Sequence, residues 1–460
     1  MTANEKLKMN QQVTFSSSEA VLDAGFQWAV AQALAYSHSG GDPVGLWYEA
    51  ALPGRGAFCI RDVAHHSAGA SVLGLSSHTK NMFIRFAENI SASRDWCTYW
   101  EMTGDNLPAS VDYTDDNDFW YNLPANFDLI DACYKQWLWT GDADYLRHPV
   151  LTQFYRHSCE DYVLTWDKDG DGIVEHLPEY GRRGIASYNE DGLQPLVGGD
   201  LLAAQFAGFR AYAELLALNG DSRGFASYSA RAESFRLLYE KDWWNGESDR
   251  FYGALLQDRT YYERYYQEGN YLPLYFGIVR EKTKLRSALS DVARNGAANV
   301  EAKTYMPDIF YRYGNNEDAY RELLELVDPK LDRREYPEVS FCVVGAIATG
   351  LMGLSADGDD GVATVSRLTN RLPFARLRFV PVLNRVIDVE HDGTTETRLT
   401  VRRGKSIKWT AAFPGTHSHL VLNGTPTATQ IEIDAGGKMV SYLLVDVGEG
   451  QSHSVRVAGA

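Results

Sequence analysis

The chain has 460 residues, a formal net charge of −17 at pH 7 and a hydrophobic fraction of 45%. The hydrophobic fraction is enough for a large buried core. The negative charge argues against nucleic acids and membranes as partners, because both are anionic and bind basic patches.

Helical periodicity and helix-breaking residues predict twelve helices from residue 18 onward. Their spans are 18–38, 62–75, 78–91, 123–139, 143–165, 199–219, 221–241, 270–279, 281–294, 302–314, 316–327 and 338–353. If successive helices run antiparallel, every connection from an odd helix to the next even one emerges at the same end. Among them are the long loops 39–61, 92–122 and 166–198, and long loops commonly carry function. The pattern predicts a mainly α fold, an (α/α)6 toroid with a pocket at one end.

The helical pattern ends near Gly353, and the Gly- and Asp-rich segment 356–365 is predicted to be a linker. From 366 to 460, alternating segments bounded by Gly, Asn or Asp recur about every ten residues, which is typical of an antiparallel β-sandwich. We therefore predict an N-terminal tail over 1–14, a helical catalytic domain over 15–355, and a small sandwich that braces it.

The five cysteines show no Cys-x-x-Cys spacing, which indicates buried free thiols rather than a disulfide framework. The chain has no apolar run of transmembrane length, and residues 1–12 lack the apolar segment of a signal peptide. These features predict a cytoplasmic protein or, if a leader has been removed, a periplasmic or secreted one. His65 and His66 have no metal-ligand spacing with other residues, so neither a zinc site nor any other cofactor is expected.

Many aromatic residues fall in the predicted long loops. Trp47 lies in the first of these loops, Trp96 and Trp120 lie in the second, and Tyr188 lies in the third. A flat apolar ring with a polar edge suits a sugar, whose C–H groups stack on the ring while its hydroxyls take hydrogen bonds. Ordinary packing of the loops would use the same residues, so the pattern leaves both roles open.

Arg61 and Asp62 end the first long loop and open the second predicted helix. A carboxylate in a first helical turn is favoured by the helix dipole, so capping by Asp62 with Arg61 as its ion-pair partner is one explanation. An Arg–Asp pair at a pocket can also grip neighbouring sugar hydroxyls, since it both donates and accepts hydrogen bonds.

This helix start, with Trp28 in the first helix and the Gly-rich stretch before Phe58, resembles the six-hairpin glycosidases. That group includes glucoamylase-like enzymes, glycogen-debranching glucosidase domains, trehalase-like enzymes and α-L-rhamnosidases. The resemblance covers about residues 15–355. It implies a glycoside hydrolase that removes terminal sugars with inversion, and it implies that Arg61 and Asp62 hold the sugar in the first subsite.

Glu190 and Asp191 lie in the loop before the sixth predicted helix. The resembling families place their general acid in this connection, often in an aromatic-x-carboxylate setting, and Tyr188-Asn189-Glu190 is similar to that setting. The resemblance therefore implies Glu190 as the acid, with Asp191 as the alternative. A solvated acidic turn also explains the two residues, because a general acid needs partial burial to stay protonated near neutral pH.

Glu338 begins the last predicted helix, which is almost wholly apolar and therefore expected in an inner ring. Helix capping is a sufficient explanation for this position. The resemblance implies Glu338 as the general base, with Glu335 as the alternative. Inverting glycosidases separate their two carboxyls by roughly 6.5–9.5 Å to admit a water molecule, and we expect that spacing here.

Further polar residues of the same predicted face are candidates for substrate binding. They are Arg182, Arg183, Glu268 and Tyr305. An arginine could bind sugar hydroxyls or a carboxylate. Glu268 is also a rival general base, and helix capping is a further explanation for it.

A separate acidic loop carries Asp167, Asp169, Asp171 and Glu175. Alternating Asp residues before Gly are similar to a calcium loop, because Ca²⁺ needs several carboxylate oxygens around a tight turn. An EF-hand would need Glu where Pro178 stands. A structural calcium ion is thus a candidate, and a plain Asp/Gly turn is the alternative.

The expected function is hydrolysis of an oligosaccharide or glycoside by a pair of carboxyl groups. A glycoside phosphorylase would use the same toroid and need cations near the base, for which Arg333 and Arg334 are available. A uronide-specific hydrolase or lyase could use Arg182 and Arg183 to bind a carboxylate. A carbohydrate-binding protein without catalytic activity is the fourth possibility.

Overall fold

The computed structural model describes residues 12–190, 192–434 and 436–459. Residues 20–351 are mainly helical, and residues 355–457 are mainly strand. The α-helices are α1 (Ala20–Ala35), α2 (Ile60–Val72), α3 (Ser76–Glu88), α4 (Ala125–Thr140), α5 (Asp144–Arg147), α6 (Pro149–Cys159), α7 (Asp161–Trp166), α8 (Gly199–Leu218), α9 (Ser222–Asp242), α10 (Glu268–Phe276), α11 (Lys282–Asn295), α12 (Val300–Lys303), α13 (Met306–Arg312), α14 (Asn316–Val327) and α15 (Pro337–Gly345). A π-helix over Ala346–Leu351 continues α15.

Six of these helices form a closed inner ring. Helix α2 packs against α15 and α4, α4 packs against α8, and α8 packs against α10. The ring closes because α10 packs against α13, which contacts the π-helix that continues α15. The outer helices α1, α3, α9 and α14 each pack against inner ones. This arrangement is the predicted (α/α)6 toroid.

The pattern of buried residues in each helix explains whether that helix belongs to the inner or the outer ring. All nine residues of α15 are buried, whereas α14 buries one face, as expected for an amphipathic outer helix. Helix α8 is long and apolar enough to cross a membrane by length and composition, but 72% of its most apolar window is buried inside the protein. Its apolar character is therefore explained by a place in the core.

Two predicted helices are interrupted in the structure. The span 143–165 contains α5, α6 and α7, and His148 before Pro149 is extended, since a residue preceding proline is disfavoured in the helical region. The span 302–314 contains the end of α12 and all of α13, with Pro307 in the first turn of α13.

A β-sandwich follows the toroid. Its strands are β1 (Thr14–Ser17), β12 (Ser355–Ala356), β13 (Gly361–Val365), β14 (Phe374–Val382), β15 (Arg385–Asp392), β16 (Glu396–Arg403), β17 (Ile407–Pro414), β18 (His419–Leu422), β19 (Thr425–Ala428), β20 (Gln430–Ile433), β21 (Met439–Val447) and β22 (Ser452–Val457). One sheet has the order β1-β14-β15-β16-β22-β18-β19 and the other β12-β13-β17-β21-β20. The pairs are antiparallel except for β13 and β17, which run parallel.

Three strands lie outside the predicted sandwich range 366–460. Strand β13 and part of β12 fall within the predicted linker 356–365, and β1 precedes the first helix. Strand β1 pairs with β14, and Phe15 in this strand contacts the Phe26 ring of α1 with 5.4 Å between centroids. The sandwich is therefore joined to the toroid through both ends of the helical region.

Short ribbons shape the long loops. They pair β2 (Ser37–Asp42) with β3 (Gly45–Tyr48), β4 (Ala57–Cys59) with β5 (Glu101–Thr103), β6 (Tyr113–Asp115) with β7 (Asp118–Phe119), β8 (Val197–Gly198) with β11 (Ala254–Leu255), and β9 (Trp244–Asn245) with β10 (Arg250–Phe251). Short 3₁₀ turns cover Ala92–Arg94 and Pro178–Tyr180. All five cysteines are buried free thiols, as predicted.

Candidate active site

Each inner helix carries an acidic residue in its first turn. Because inner and outer helices alternate along the chain, all inner helices begin at the same end of the toroid, and a carboxylate there is favoured by the helix dipole. The six residues are Asp62, Asp128, Asp200, Glu268, Asp308 and Glu338. The toroid thus gathers a ring of carboxyl groups, referred to below as the carboxyl ring.

A cavity of about 140 Å³ lies at this end of the toroid. At about 30 Å³ per water molecule it has room for roughly five waters, which suits one small ring better than a chain of sugars. Its lining residues are Arg61, Tyr188, Glu190, Gln267, Glu268, Tyr271, Leu272, Ala298, Asn299, Glu301, Ala302 and Tyr305.

Arg61 and Asp62 form an ion pair beside the cavity. The Arg61 Nε donates a hydrogen bond to Asp62 Oδ1 at 3.1 Å, and its guanidinium lies 5.7 Å from the centre of the Tyr188 ring. Burial raises the pKa of Asp62, while the charge of Arg61 and its hydrogen bond act in the opposite direction. The pair therefore offers a donor and an acceptor side by side, although capping of α2 uses the same position.

Glu338 is a buried carboxyl with an unused oxygen. Its Oε2 has no hydrogen-bond partner within the described ranges. Burial, followed by the charge of Asp62, raises the pKa of Glu338 well above its usual range. Glu338 is not among the residues that line the cavity, and its environment favours the protonated form.

Glu190 is the predicted general acid that the structure places at the cavity. It lines the cavity, and its side chain is exposed. Its charge is among those that raise the pKa of both Arg61 and Asp62, so the three groups share one electrostatic neighbourhood. Asp191, the predicted alternative, lies outside the described residues.

The wall formed by α10 and the segment before α13 brings further polar groups to the cavity. Tyr271 donates a hydrogen bond from its hydroxyl to Glu268 Oε1 at 2.9 Å. The Tyr305 ring stacks on His65 with 3.6 Å between centroids. Glu268 and Tyr305 were both candidates from the sequence, and the structure brings them together with Arg61.

Glu301 was missed by the sequence analysis. It lines the cavity, its Oε2 is buried without a hydrogen-bond partner in the described part of the chain, and Arg333 lies 3.9 Å from its Oε1. Its short helix α12 precedes Tyr305, so proximity to that candidate was the only local signal available.

Three predicted aromatic residues do not line this cavity. Trp47 is buried, stacks on His38 and donates a hydrogen bond to Asp42. Trp96 stacks on His157, and Trp120 donates to a nearby asparagine. Packing of the loops therefore accounts for their positions in the structure.

Two predicted arginines are paired elsewhere. Arg182 donates to Asp118 at 2.6 Å, and Arg183 donates to Asp95 at 2.9 Å. Neither residue lines the cavity. Glu335, the alternative base, has an exposed side chain, and its backbone carbonyl accepts the Tyr36 hydroxyl.

The acidic loop after α7 gathers three of its four predicted carboxylates. Oxygens of Asp167, Asp169 and Asp171 lie within 4.8 Å of one another, and Glu175 is not part of that group. Backbone amides of the loop donate to all three, and Arg259 also donates to Asp169. These hydrogen bonds within the loop hold the three carboxylates together without an ion, and calcium binding stays a prediction.

The fold is shared with solved glycosidase structures. An α-L-rhamnosidase from Dictyoglumus thermophilum has a TM-score of 0.65 and 14% identity, over 97% of this chain and 50% of that chain. The α-L-rhamnosidase from Aspergillus terreus gives 0.63 and 12%, over 98% and 51%. A protein assigned as a kojibiose phosphorylase from the human microbiome gives 0.60 and 10%, over 95% and 63%. The chain therefore has the six-hairpin glycosidase fold with its β-sandwich.

The similarity is one of three-dimensional structure. The chain spans between half and two thirds of the length of these structures. Neither a protein-family profile nor a curated protein sequence matches it. At this level of identity the comparison defines the fold, and the activity has to be argued from the residues of the site.

Proposed function

We propose that this protein is a carbohydrate-active enzyme that hydrolyses the glycosidic bond of a terminal sugar with inversion. The observation that carries the proposal is the carboxyl ring, of which Glu268 lines a cavity of about 140 Å³, in a toroid whose solved neighbours include α-L-rhamnosidases. A cavity with room for roughly one ring favours attack at the end of a chain over attack within it.

In the proposed mechanism, two carboxyl groups act on opposite faces of the sugar. Glu190 gives a proton to the glycosidic oxygen as the bond to the anomeric carbon breaks. Glu338 takes a proton from a water molecule, whose oxygen attacks the anomeric carbon from the other side. Inverting glycosidases use this division of roles. Arg61 and Asp62 would hold the hydroxyls of the sugar.

The mechanism needs Glu338 in its ionised form and Glu190 in its protonated form when the sugar is bound. Glu338 has to lose its proton before it can act as a base, although burial and Asp62 favour the protonated form. Glu190 is exposed, so a bound sugar would have to cover it and thereby favour its protonated form. Substrate binding is therefore expected to prepare both groups.

Hydrolysis is favoured over phosphorolysis by the charges of the site. A phosphate needs free cations, but Arg61 is the one cationic side chain among the lining residues and it is bonded to Asp62. Arg333 lies near Glu301, and Arg334 packs on Trp28 with 3.6 Å to the ring centre. For the same reason a uronate is disfavoured, since Arg182 and Arg183 are paired with other acids.

The test measures sugar release from a panel of aryl glycosides and oligosaccharides that includes α-L-rhamnosides, with and without phosphate. Wild type is compared with Glu190→Gln, Glu338→Gln and a control, Glu432→Gln, on an exposed strand of the sandwich. We expect phosphate-independent activity that both site variants lose and the control keeps, with an inverted anomer as first product by NMR.

Other outcomes would redirect the proposal. Full activity in Glu190→Gln would transfer the acid role to another carboxyl of the same cavity, Glu268 or Glu301. Sugar phosphate as the product would replace hydrolysis by phosphorolysis. Binding of a sugar with no turnover of any substrate would support a carbohydrate-binding protein instead.

A further inference from the structure

The segment that carries Glu190 is held by a buried carboxylate. Asp200, in the first turn of α8, is fully buried. Its Oδ1 accepts a hydrogen bond from Ser187 Oγ at 2.9 Å, and its Oδ2 accepts the backbone N–H of Tyr188 at 2.6 Å. Both oxygens of one side chain therefore bind consecutive residues just before Glu190.

Other inner-ring contacts hold the same segment. Tyr188 donates its hydroxyl to Asp128 Oδ2 at 3.1 Å, and Asp128 belongs to the first turn of α4. Asn122 donates its side-chain amide to the carbonyl of Ser187. Ser187 Oγ in turn accepts the backbone N–H of Asn189 at 3.0 Å. The segment is thus fixed to two neighbouring helices, and Glu190 is the next residue along the chain.

The chain approaches Asp200 so closely that only glycine fits before α8. A Cβ on Gly198 would lie 2.3 Å from Asp200 Oδ1 and 2.5 Å from the carbonyl oxygen of Ala186. The N–H of Gly198 donates to that same carbonyl at 2.8 Å. The two ends of the segment are therefore clamped together at the position where Asp200 binds it.

We infer that Asp200 is a positioning residue, which fixes Glu190 at the edge of the cavity through Ser187 and Tyr188. The inference rests on the proposed function, because it takes Glu190 as the group that protonates the leaving oxygen. A misplaced acid or base loses rate even when its chemistry is unchanged. Tyr188 also lines the cavity, so its hydrogen bond to Asp200 fixes both a residue of the cavity wall and the segment that carries the proposed acid.

Burial raises the pKa of Asp200 to about 7, whereas the hydrogen bonds from Tyr188 and Ser187 favour its ionised form. An ionised Asp offers acceptors on both oxygens, and each already receives a donor. In Asp200→Asn the amide oxygen can still accept the Tyr188 N–H, but the NH₂ group then faces Ser187 Oγ, so the Ser187 hydroxyl has to change from donor to acceptor and its own proton loses this acceptor. The substitution keeps the shape of the side chain, and it weakens both contacts without leaving a cavity, because a neutral amide oxygen is a weaker acceptor than a carboxylate.

The first test uses the leaving group of the substrate. An alkyl glycoside needs a proton from the enzyme to depart, whereas a 2,4-dinitrophenyl glycoside of the same sugar departs without one. Correct general acid catalysis contributes about 10²–10⁴-fold. We expect Asp200→Asn to lower kcat on the alkyl glycoside by about tenfold or more while changing kcat on the dinitrophenyl glycoside by less than about threefold.

Glu190→Gln is the reference for this pattern, and Asp388→Asn is the matched control. Asp388 is a buried acid of the β-sandwich that, like Asp200, accepts a backbone N–H, that of Phe379 at 3.0 Å. An equal loss on both substrates in Asp200→Asn, or no loss, would overturn the inference. If Glu190→Gln itself shows no dependence on the leaving group, the proposed role of Glu190 fails instead.

A second measurement needs no activity. Hydrogen exchange of the Tyr188 amide in folded Asp200→Asn should be at least about tenfold faster than in wild type, because its acceptor is lost or weakened. Unchanged exchange would refute the positioning role whatever the kinetics show. If Asp200→Asn does not fold, Ser187→Ala removes one of the two contacts and should show a smaller effect of the same kind.

Discussion

The charge of Asp62, in the first turn of α2, raises the pKa of Glu338, in the first turn of the neighbouring helix α15. Burial of Glu338 acts in the same direction and is the larger cause, whereas the hydrogen bond from Arg61 favours the ionised form of Asp62. The contact between two inner helices therefore contributes to the raised pKa of the proposed base. The effect of Asp62 on the ionisation of Glu338 can be measured through the pH dependence of activity.

The pH dependence of activity should report this pair. As the base, Glu338 works only when ionised, so kcat/KM should rise with pH on the acidic limb, with an apparent pKa above the usual value of about 4.3 for Glu. In Asp62→Asn a negative neighbour is removed, which lowers the pKa of Glu338 and moves that limb to lower pH. A limb that moves to higher pH would contradict the assignment. Activity that instead falls as Glu338 ionises would make Glu338 the acid.

Stability should fall as pH rises towards neutrality, partly because of Glu101. Burial raises the pKa of this carboxyl from 4.5 to about 7, although Arg55 donates to it at 2.8 Å. The folded state then binds more protons than the unfolded state between these two values. The contribution of Glu101 to the free energy of unfolding is therefore complete below pH about 4.5, and it is lost as the pH rises through about 7.

Glu101→Gln tests this linkage, because glutamine cannot ionise. The free energy of unfolding in urea, compared at pH 5 and pH 7.5, should fall less in the variant than in wild type, by on the order of 1–3 kcal/mol. Glu432→Gln, with an exposed side chain, should keep the wild-type difference. An identical pH dependence in Glu101→Gln and wild type would exclude this carboxyl as a source.

The contact between α2 and α15 should tolerate no added atom at Gly69. A Cβ there would lie 1.9 Å from the carbonyl oxygen of Phe341. Gly69→Ala has to separate the two helices that carry Asp62 and Glu338, so we expect a loss of about 3 kcal/mol in the free energy of unfolding. Gly41→Ala, where a Cβ meets nothing within 4 Å, is the control. A Gly69→Ala protein as stable as this control would show that the helices are not in close contact.

Sugar binding should depend on Tyr271 and not on Trp47. In Tyr271→Phe the Glu268 carboxylate loses a hydrogen bond of 2.9 Å in the cavity wall, so KM should rise about 2- to 10-fold. Trp47→Phe loses a bond to Asp42 away from the cavity, so it should lower Tm and leave KM unchanged. A larger rise in KM for Trp47→Phe than for Tyr271→Phe would restore Trp47 to the sugar site.

Local sequence patterns were sufficient for the helices of the toroid. Helix α8 was predicted over 199–219 and begins and ends within one residue of that span, because glycines precede it and a Gly220 turn follows it. The apolar helix α15 was correctly assigned to the inner ring, since a helix that is apolar on all sides has to be buried. Strand β1 was missed because its partner β14 lies far away in the chain, and β13 was missed because it follows the Gly- and Asp-rich turn that predicted a linker.

The sequence by itself determined the toroid, the end at which its long loops emerge, and the acidic first turns, since these depend on periodicity and on the dipole of each helix. Only the tertiary structure decided which side chains meet. Glu301 lines the cavity beside Arg61, whereas Trp47 packs into the core, although both lie in predicted loops or loop ends. The first turns of the inner helices, which lie between residues 61 and 338 of the chain, come together only when the ring closes. No local sequence pattern predicts contacts between residues so far apart in the chain.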